Sequence, residues 1–200
     1  MFEVGEALNF IQVGVFDGVQ NDPLRKYIDR CGWRGVMVEP QSKACAKLRA
    51  LYAGNPRIEV LNAALDHQPD TRTLYTIAET PSTPTWAGGL ASFDRVVIEK
   101  HADQIPGLAG MIREEAVPCV PFTSVLDRLA TDRLDLLQID TEGADGFILS
   151  LFPFARIKPA IVHWEVKHLT TRKREDAMDH LAAFGYRFAP SGGEDMLAVL

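Results

Sequence analysis

The sequence predicts an α/β fold, a mostly parallel sheet with helices on both faces. Three observations lead there. Apolar runs of strand length alternate with segments whose apolar residues recur at helical spacing. Glycines stand where the first strand and the first two helices should end. A chain of 200 residues can bury one sizeable core but divides poorly into two. One domain is therefore expected over residues 1–200.

Residues 10–15 read as a buried first strand; Leu24, Tyr27, Ile28 and Cys31 then share a helical face, with Pro23 suited to the helix start and Gly32 to its end. Residues 35–39 supply a second strand. Ala44, Leu48, Leu51 and Tyr52 mark the buried face of a second helix before Gly54. A third strand is expected at 57–61 and a short one at 73–77. Residues 79–89, rich in proline, threonine and glycine, are expected as loop, and 91–116 carry weaker helical patterns. An insertion at about 79–116 could cover a ligand pocket.

Residues 117–122 are expected at a sheet edge, because Pro118 and Pro121 cannot donate within a central strand. Thr123 is expected to cap a short helix that turns Val125, Leu126 and Leu129 inward. Residues 134–140, LDLLQID, form the next strand and GADGFILSLF the helix after it. Residues 159–166 give another strand and 171–184 another helix; 186–188 and 196–200 close the sheet as a pair.

The net charge of -6 and pI near 5.4 give no general attraction for phosphate backbones or anionic lipid, so neither nucleic acid nor membrane is expected as a partner. Arg172, Lys173 and Arg174 are followed at once by Glu175 and Asp176, the pattern of a solvated helix face. Cys31, Cys45 and Cys119 are far apart and lack CxxC spacing, which fits a reducing compartment. Glu3 and Glu6 replace a basic leader, and no apolar run approaches ~20 residues. A cytoplasmic protein is expected. Homo-oligomers are compatible with the sequence, but no patch identifies an interface.

In parallel sheets, ligands gather at the carboxyl ends of strands, which directs attention to Gly14, Asp17, Gly18, Glu39, Asp66, Asp140, Glu142 and Glu165. Within FIQVGVFDGVQNDPL, Gly14 lets a ligand approach the backbone and Gly18 turns the chain toward a helix. Asp17 can accept from loop amides or face a cationic ligand. GVFDG is not the GxGxxG of a pyrophosphate site: an aspartate there repels phosphate but suits an ammonium or sulfonium group. A purely structural turn is the alternative.

Glu39 ends the second strand about 20 residues after Gly18, where an acid can accept from both hydroxyls of a ribose; the alternative is a solvated strand-end glutamate. In VLNAALD, Ala63 and Ala64 leave room for a flat base. Backbone around Leu65 can recognise adenine, with Asp66 accepting from its exocyclic amine, or Asp66 merely caps the turn before Gln68 and Pro69.

These strand ends together resemble those of class I S-adenosylmethionine-dependent methyltransferases. With DLLQIDTEGADGFIL, GVMVEPQ, NAAL and PCVPFTSVLDRL added, the chain resembles the FkbM-type methyltransferase family from about Phe10 to the end. The resemblance implies a seven-stranded Rossmann-like sheet with an antiparallel last strand. It also implies S-adenosyl-L-methionine as methyl donor and, usually, O-methylation of a small-molecule or sugar-like acceptor. The commonest turn of the family often has asparagine before the final glycine pair; this chain has Phe16-Asp17-Gly18.

Methyl transfer to an alcohol needs alignment and a way to remove the proton, through a base or a metal that lowers the alcohol's pKa. Asp140 and Glu142 would point the same way if the strand continued through them. Three readings compete for the pair: base or substrate-orienting acid, a magnesium-type site completed by water and Asp145, or helix capping. Asp140 is the leading base, while Glu142 either holds the donor's amino group or supports the loop. A divalent metal is admissible but not preferred, and no metal ligand is assigned.

His168, three residues after Glu165, is a candidate proton acceptor or else a helix-start histidine. Trp86 and Trp164 either wall an acceptor site or fill the core. Two rivals share the layered fold. An NAD(P)-dependent oxidoreductase would use Glu39 equally well but lacks its glycine triplet here. A non-catalytic nucleotide-binding module would keep the first three strand ends and need neither Asp140 nor Glu142.

Overall fold

The computed structural model describes residues 5–81, 83–129 and 131–200; Glu3, counted above in the acidic N-terminus, lies outside them. In chain order come β1 (Asn9–Val13), α1 (Arg25–Cys31), β2 (Arg34–Val38), α2 (Ser42–Leu51), β3 (Ile58–Leu61), β4 (Ala64–Leu65) and β5 (Asp70–Ile77). A 3₁₀ turn (Thr85–Gly89), β6 (Ala91–Ser92), α3 (Arg95–Glu99), α4 (Leu108–Met111), β7 (Ile112–Val120) and α5 (Phe122–Leu126) follow. The chain closes with β8 (Leu136–Ile139), α6 (Asp145–Leu151), β9 (Ile161–Glu165), α7 (Thr171–Ala182), β10 (Arg187–Ser191) and β11 (Asp195–Val199).

Period-two alternation sends successive side chains of the central strands to opposite faces, and both faces are apolar. Ile11, Val13, Val36 and Leu137 enter one core, which also takes Leu149 of α6 and Leu181 of α7. Phe10, Met37 and Leu136 enter a second, against Ile28 of α1 and Leu48 of α2. Strands apolar on both faces are stable only between two helical layers. Gly32 stops α1 as expected, with φ +67° and its N–H bonded to the Ile28 carbonyl.

The main sheet has seven strands in the order β3-β2-β1-β8-β9-β11-β10. The first five are parallel, and β11 runs antiparallel to both its neighbours. The last strand of the chain is thus the antiparallel one. The chain winds outward from β1 through β2 to β3, then returns to place β8 on the other side of β1. This reversal makes the carboxyl ends of β1 and β8 the switch point where a crevice opens.

Between β3 and α5 the chain builds a second sheet, β4-β7-β5-β6, which sequence reasoning did not foresee. β5 and β7 pair antiparallel from Asp70↔Cys119 to Ile77↔Ile112. The strand expected at 73–77 therefore begins at Asp70, and 112–116 is strand where weak helical patterning was read. The 117–122 segment is not an edge: β7 lies between β4 and β5. Pro118 is accommodated because β4 pairs only with Cys119 and Val120, so Pro118 has β5 alone as neighbour. Pro121 lies beyond the strand as the N-cap of α5, which puts Thr123 inside the helix instead of at its cap. Val125, Leu126 and Leu129 do turn inward. A small core of Ile77, Ala87, Leu90, Ile98, Ile105 and Leu108 stabilises the excursion. Among the described residues, no helix is long and apolar enough to cross a membrane.

Leu137, fully buried in β8, should be the costliest kind of truncation. Leu137→Ala is expected to lower the unfolding free energy in urea by ~2–5 kcal/mol; a loss below ~1 kcal/mol would mean that the two-sided burial of β8 is wrong.

Candidate active site

At the switch point the backbone is crowded. The Gly14 N–H donates to the Val38 carbonyl at 3.0 Å, and the Asp140 N–H to that of Val13 at 2.9 Å. Gly14 has φ +77°, and a Cβ on it would stand 1.7 Å from the Asp140 carbonyl oxygen. A side chain there would wedge β1 and β8 apart. Gly18, at the far end of the turn, packs against Leu48 and Leu51. Phe16 adopts φ +55°, an uncommon conformation for a bulky residue.

Glu39 holds that turn. From the end of β2 its buried carboxylate accepts from the Val15 and Phe16 amides through Oε2, at 3.2 and 2.7 Å, and from the Gln41 amide through Oε1 at 2.9 Å. Burial pushes its pKa up to about 7 against the pull of these three bonds. This is not a solvated strand-end glutamate: the acid clamps the loop. A carboxylate offers about four acceptor positions, so one remains for a ligand hydroxyl. Asp17 is also turned to the backbone, accepting from Val19 at 2.9 Å and Gln20 at 3.0 Å.

Leu65 is buried in β4 beside buried Ala63 and Ala64. Asp66 accepts from the His67 amide at 2.7 Å and pairs with Arg72 at 2.9 Å, so both its oxygens are engaged within the turn. Burial would raise its pKa, but His67 and Arg72 together hold it below the ordinary value. A cleft of about 280 Å³ opens beside the β1 turn, walled by Phe16, Asp17, Gln20 and Lys47 on one side and by Glu79, Thr80, Thr83, Pro84 and Gly88 on the other. Lys43 and Lys47 pair with Glu79, and the Gln41 side chain donates to the Gly89 carbonyl at 3.3 Å. These bonds tie Glu79 and Gly89 to the start of α2, beside the turn. None of Asp140, Glu142 or His168 lines the cleft.

Those three stand on the β8 and β9 side. Asp140 follows β8 directly and reaches solvent, yet the protein around it and the charges of Asp145, Glu142 and Asp195 raise its pKa to about 7. Strand alternation does not orient Glu142, since β8 ends at Ile139 and Glu142 sits in a turn with φ +54°. Its Oε2 lies 3.1 Å from His168 Nε2, which is 3.7 Å from Glu165 Oε1. Burial, then the charges of Asp140 and Glu142, pushes Glu165 up to about 8.

The N-cap of α6 is Ala144 and makes no side-chain cap bond, so neither Asp140 nor Glu142 caps the helix; Asp145, its first residue, braces the loop before it. This wholly buried acid accepts from the Thr141 amide, the Thr141 hydroxyl and the Gly143 amide at 3.3, 3.1 and 3.2 Å. Its oxygens turn back into their own loop, and burial raises its pKa to about 6. Trp164 is fully buried in the core and walls no site, because its position in β9 faces α6 and α7 residues. Trp86 is 42% exposed, 5.8 Å from the His101 ring. Sequence reasoning did not link Glu142 with Glu165 and His168. The available signal was that Glu165 closes β9 just as Glu39 follows β2, an acid at the end of an apolar run.

A family model described as the Methyltransferase FkbM domain matches residues 12–188. The fold is similar to that of Methyltransferase FkbM from Methylobacillus flagellatus KT, with 12% identity, TM-score 0.58, and coverage of 97% of this chain and 44% of that one. It is also similar to the fibrillarin pre-rRNA processing protein of Methanococcus jannaschii, with 8% identity, TM-score 0.50, and coverage of 100% and 69%. The chain thus spans less than half of the Methylobacillus protein. No curated protein matches the chain.

The Glu39 clamp has a pH signature. Its pKa rises from 4.5 to about 7 on folding, so the folded state binds more protons within that window. The corresponding stability is present below pH 4.5 and is lost as pH rises through 7. In denaturant titrations, wild-type stability minus that of Glu39→Gln should fall by ~3 kcal/mol between these values and level off above them. A difference independent of pH would show that folding does not raise the Glu39 pKa.

Proposed function

The chain belongs to the FkbM methyltransferase family, and from that premise we propose that it transfers a methyl group from S-adenosyl-L-methionine to a hydroxyl oxygen of a small or sugar-like acceptor. The observation that carries this reading is the contact between the Gly14 turn and Asp140, which brings a nucleoside-sized cleft and a carboxylate with raised pKa to the two sides of one backbone crossing. The donor supplies a methyl carbon on a positively charged sulfur that leaves as a neutral thioether.

The residues suit such a donor. Asp17 at the cleft wall and the acids beyond Gly14 favour a cation and oppose a pyrophosphate, which argues against NAD(P). Glu39 accepts one ribose hydroxyl with its remaining position and keeps the turn folded with the others. Ala63, Ala64 and Leu65 offer the adenine an apolar wall, while Asp66 secures the turn behind it. Asp140 takes the proton from the acceptor hydroxyl, Glu142 orients the acceptor, and His168 acts through Glu142 as a positioning residue.

Ligand-dependent melting tests the donor assignment: S-adenosylhomocysteine should raise the midpoint, whereas NADH and ATP should not. Stabilisation by NADH alone would reject it. With labelled donor and a panel of sugar and small-molecule alcohols, Asp140→Asn should lower turnover ~100-fold while S-adenosylhomocysteine affinity holds. Full turnover by that variant would remove Asp140 as the base.

A further inference from the structure

Glu142, Glu165 and His168 come from the turn after β8, the last residue of β9 and the segment between β9 and α7. One ligand atom from each nevertheless lies within 4.8 Å of the other two. The backbone permits this approach at Gly143, where a Cβ would stand 3.3 Å from the His168 Cβ. With glycine there, the β8 turn lies directly against the histidine's segment and delivers Glu142 to its imidazole.

Glu165 calls for a separate explanation. It is only 9% exposed, and its Oε2 is buried without a hydrogen-bond partner. An unmatched buried carboxylate oxygen is among the costlier defects a fold can carry. Its surroundings increase that cost: Asp140, Glu142 and Asp145 all oppose its charge, and Lys167, the cation that favours it, is drawn to Glu194 at 3.1 Å. His168 Nε2, at 3.7 Å from Oε1, is beyond hydrogen-bond distance.

We propose that Glu142, Glu165 and His168 bind a divalent first-row cation of the manganese or zinc class, whose open coordination positions receive the acceptor's oxygen. One imidazole and two carboxylates form a mixed nitrogen and oxygen set suited to such ions, and three protein donors leave room for substrate. Asp145 is excluded because its oxygens serve Thr141 and Gly143. The role toward the acceptor rests on the methyl-transfer reading above. In that role the cation lowers the hydroxyl's pKa and the proton passes to Asp140. The new C–O bond then forms as the C–S bond breaks, with its electron pair left on sulfur.

Chelator-treated protein titrated with Mn²⁺ alone, with free ion followed by electron paramagnetic resonance, tests the site. One Mn²⁺ should bind per chain and be displaced by Zn²⁺. Glu165→Gln and His168→Gln should each weaken binding at least ~10-fold. Glu142→Gln, on a half-exposed turn outside the strands, should do the same and covers the case in which a buried variant fails to fold. A folded wild-type protein that takes up neither ion, or equal Mn²⁺ binding by wild type and the folded variants, overturns the proposal. S-adenosylhomocysteine melting on the same metal-free protein separates the two readings. Stabilisation without metal uptake rejects the cation alone, and loss of both rejects methyl transfer as well.

Discussion

Gly14 and the Asp140 carbonyl occupy space that admits no additional carbon atom, and everything at the ligand end of the sheet is organised around that crossing. β1 and β8 are parallel neighbours whose following segments leave in opposite directions, so their ends must diverge just after this contact. Glu39 sustains the geometry on one side by gathering the Val15, Phe16 and Gln41 amides around a single carboxylate. Asp145 does the corresponding work on the other side for Thr141 and Gly143. Two buried acids thus stabilise two turns, one facing the cleft and the other bearing Glu142.

Raised carboxylate pKa values recur at these strand ends, but their physical settings differ. Glu39 reaches about 7 although three amides favour its charged form, so burial outweighs a well-matched hydrogen-bond set. Glu165 reaches about 8 with its Oε2 unmatched and like charges nearby. The first fills three of its acceptor positions with loop amides, so it braces the turn and keeps one position for a hydroxyl. The second is incomplete, and incompleteness at a strand end is what distinguishes a group reserved for a ligand from one that braces a loop.

The main sheet was legible because its strands are apolar on both faces and its helices repeat their apolar residues at 3.6-residue spacing, as with Leu48 on α2 and Ile28 on α1. The second sheet was not. β7, IREEAVPCV, mixes two glutamates with a proline, and its partner β5 pairs with residues some forty positions away, a relation that local periodicity cannot carry. At the site, residue types at strand ends pointed to Gly14, Glu39, Asp140 and His168, but directions could not be read. Positive φ at Phe16 and Glu142 turns the chain where strand alternation would have continued, so Glu142 meets His168 and Glu39 faces the loop amides.

The central claim is that the crossing of β1 and β8 divides a nucleoside shelf from an acid-lined acceptor side. A crystal structure of the protein with S-adenosylhomocysteine bound would test it most directly. The adenosine should rest over the ends of β1 and β2, with a ribose hydroxyl on Glu39, the Val15 and Phe16 amides still held, and the sulfur directed toward Asp140. A nucleoside bound away from the Gly14 turn, with Glu39 touching only backbone, would contradict it.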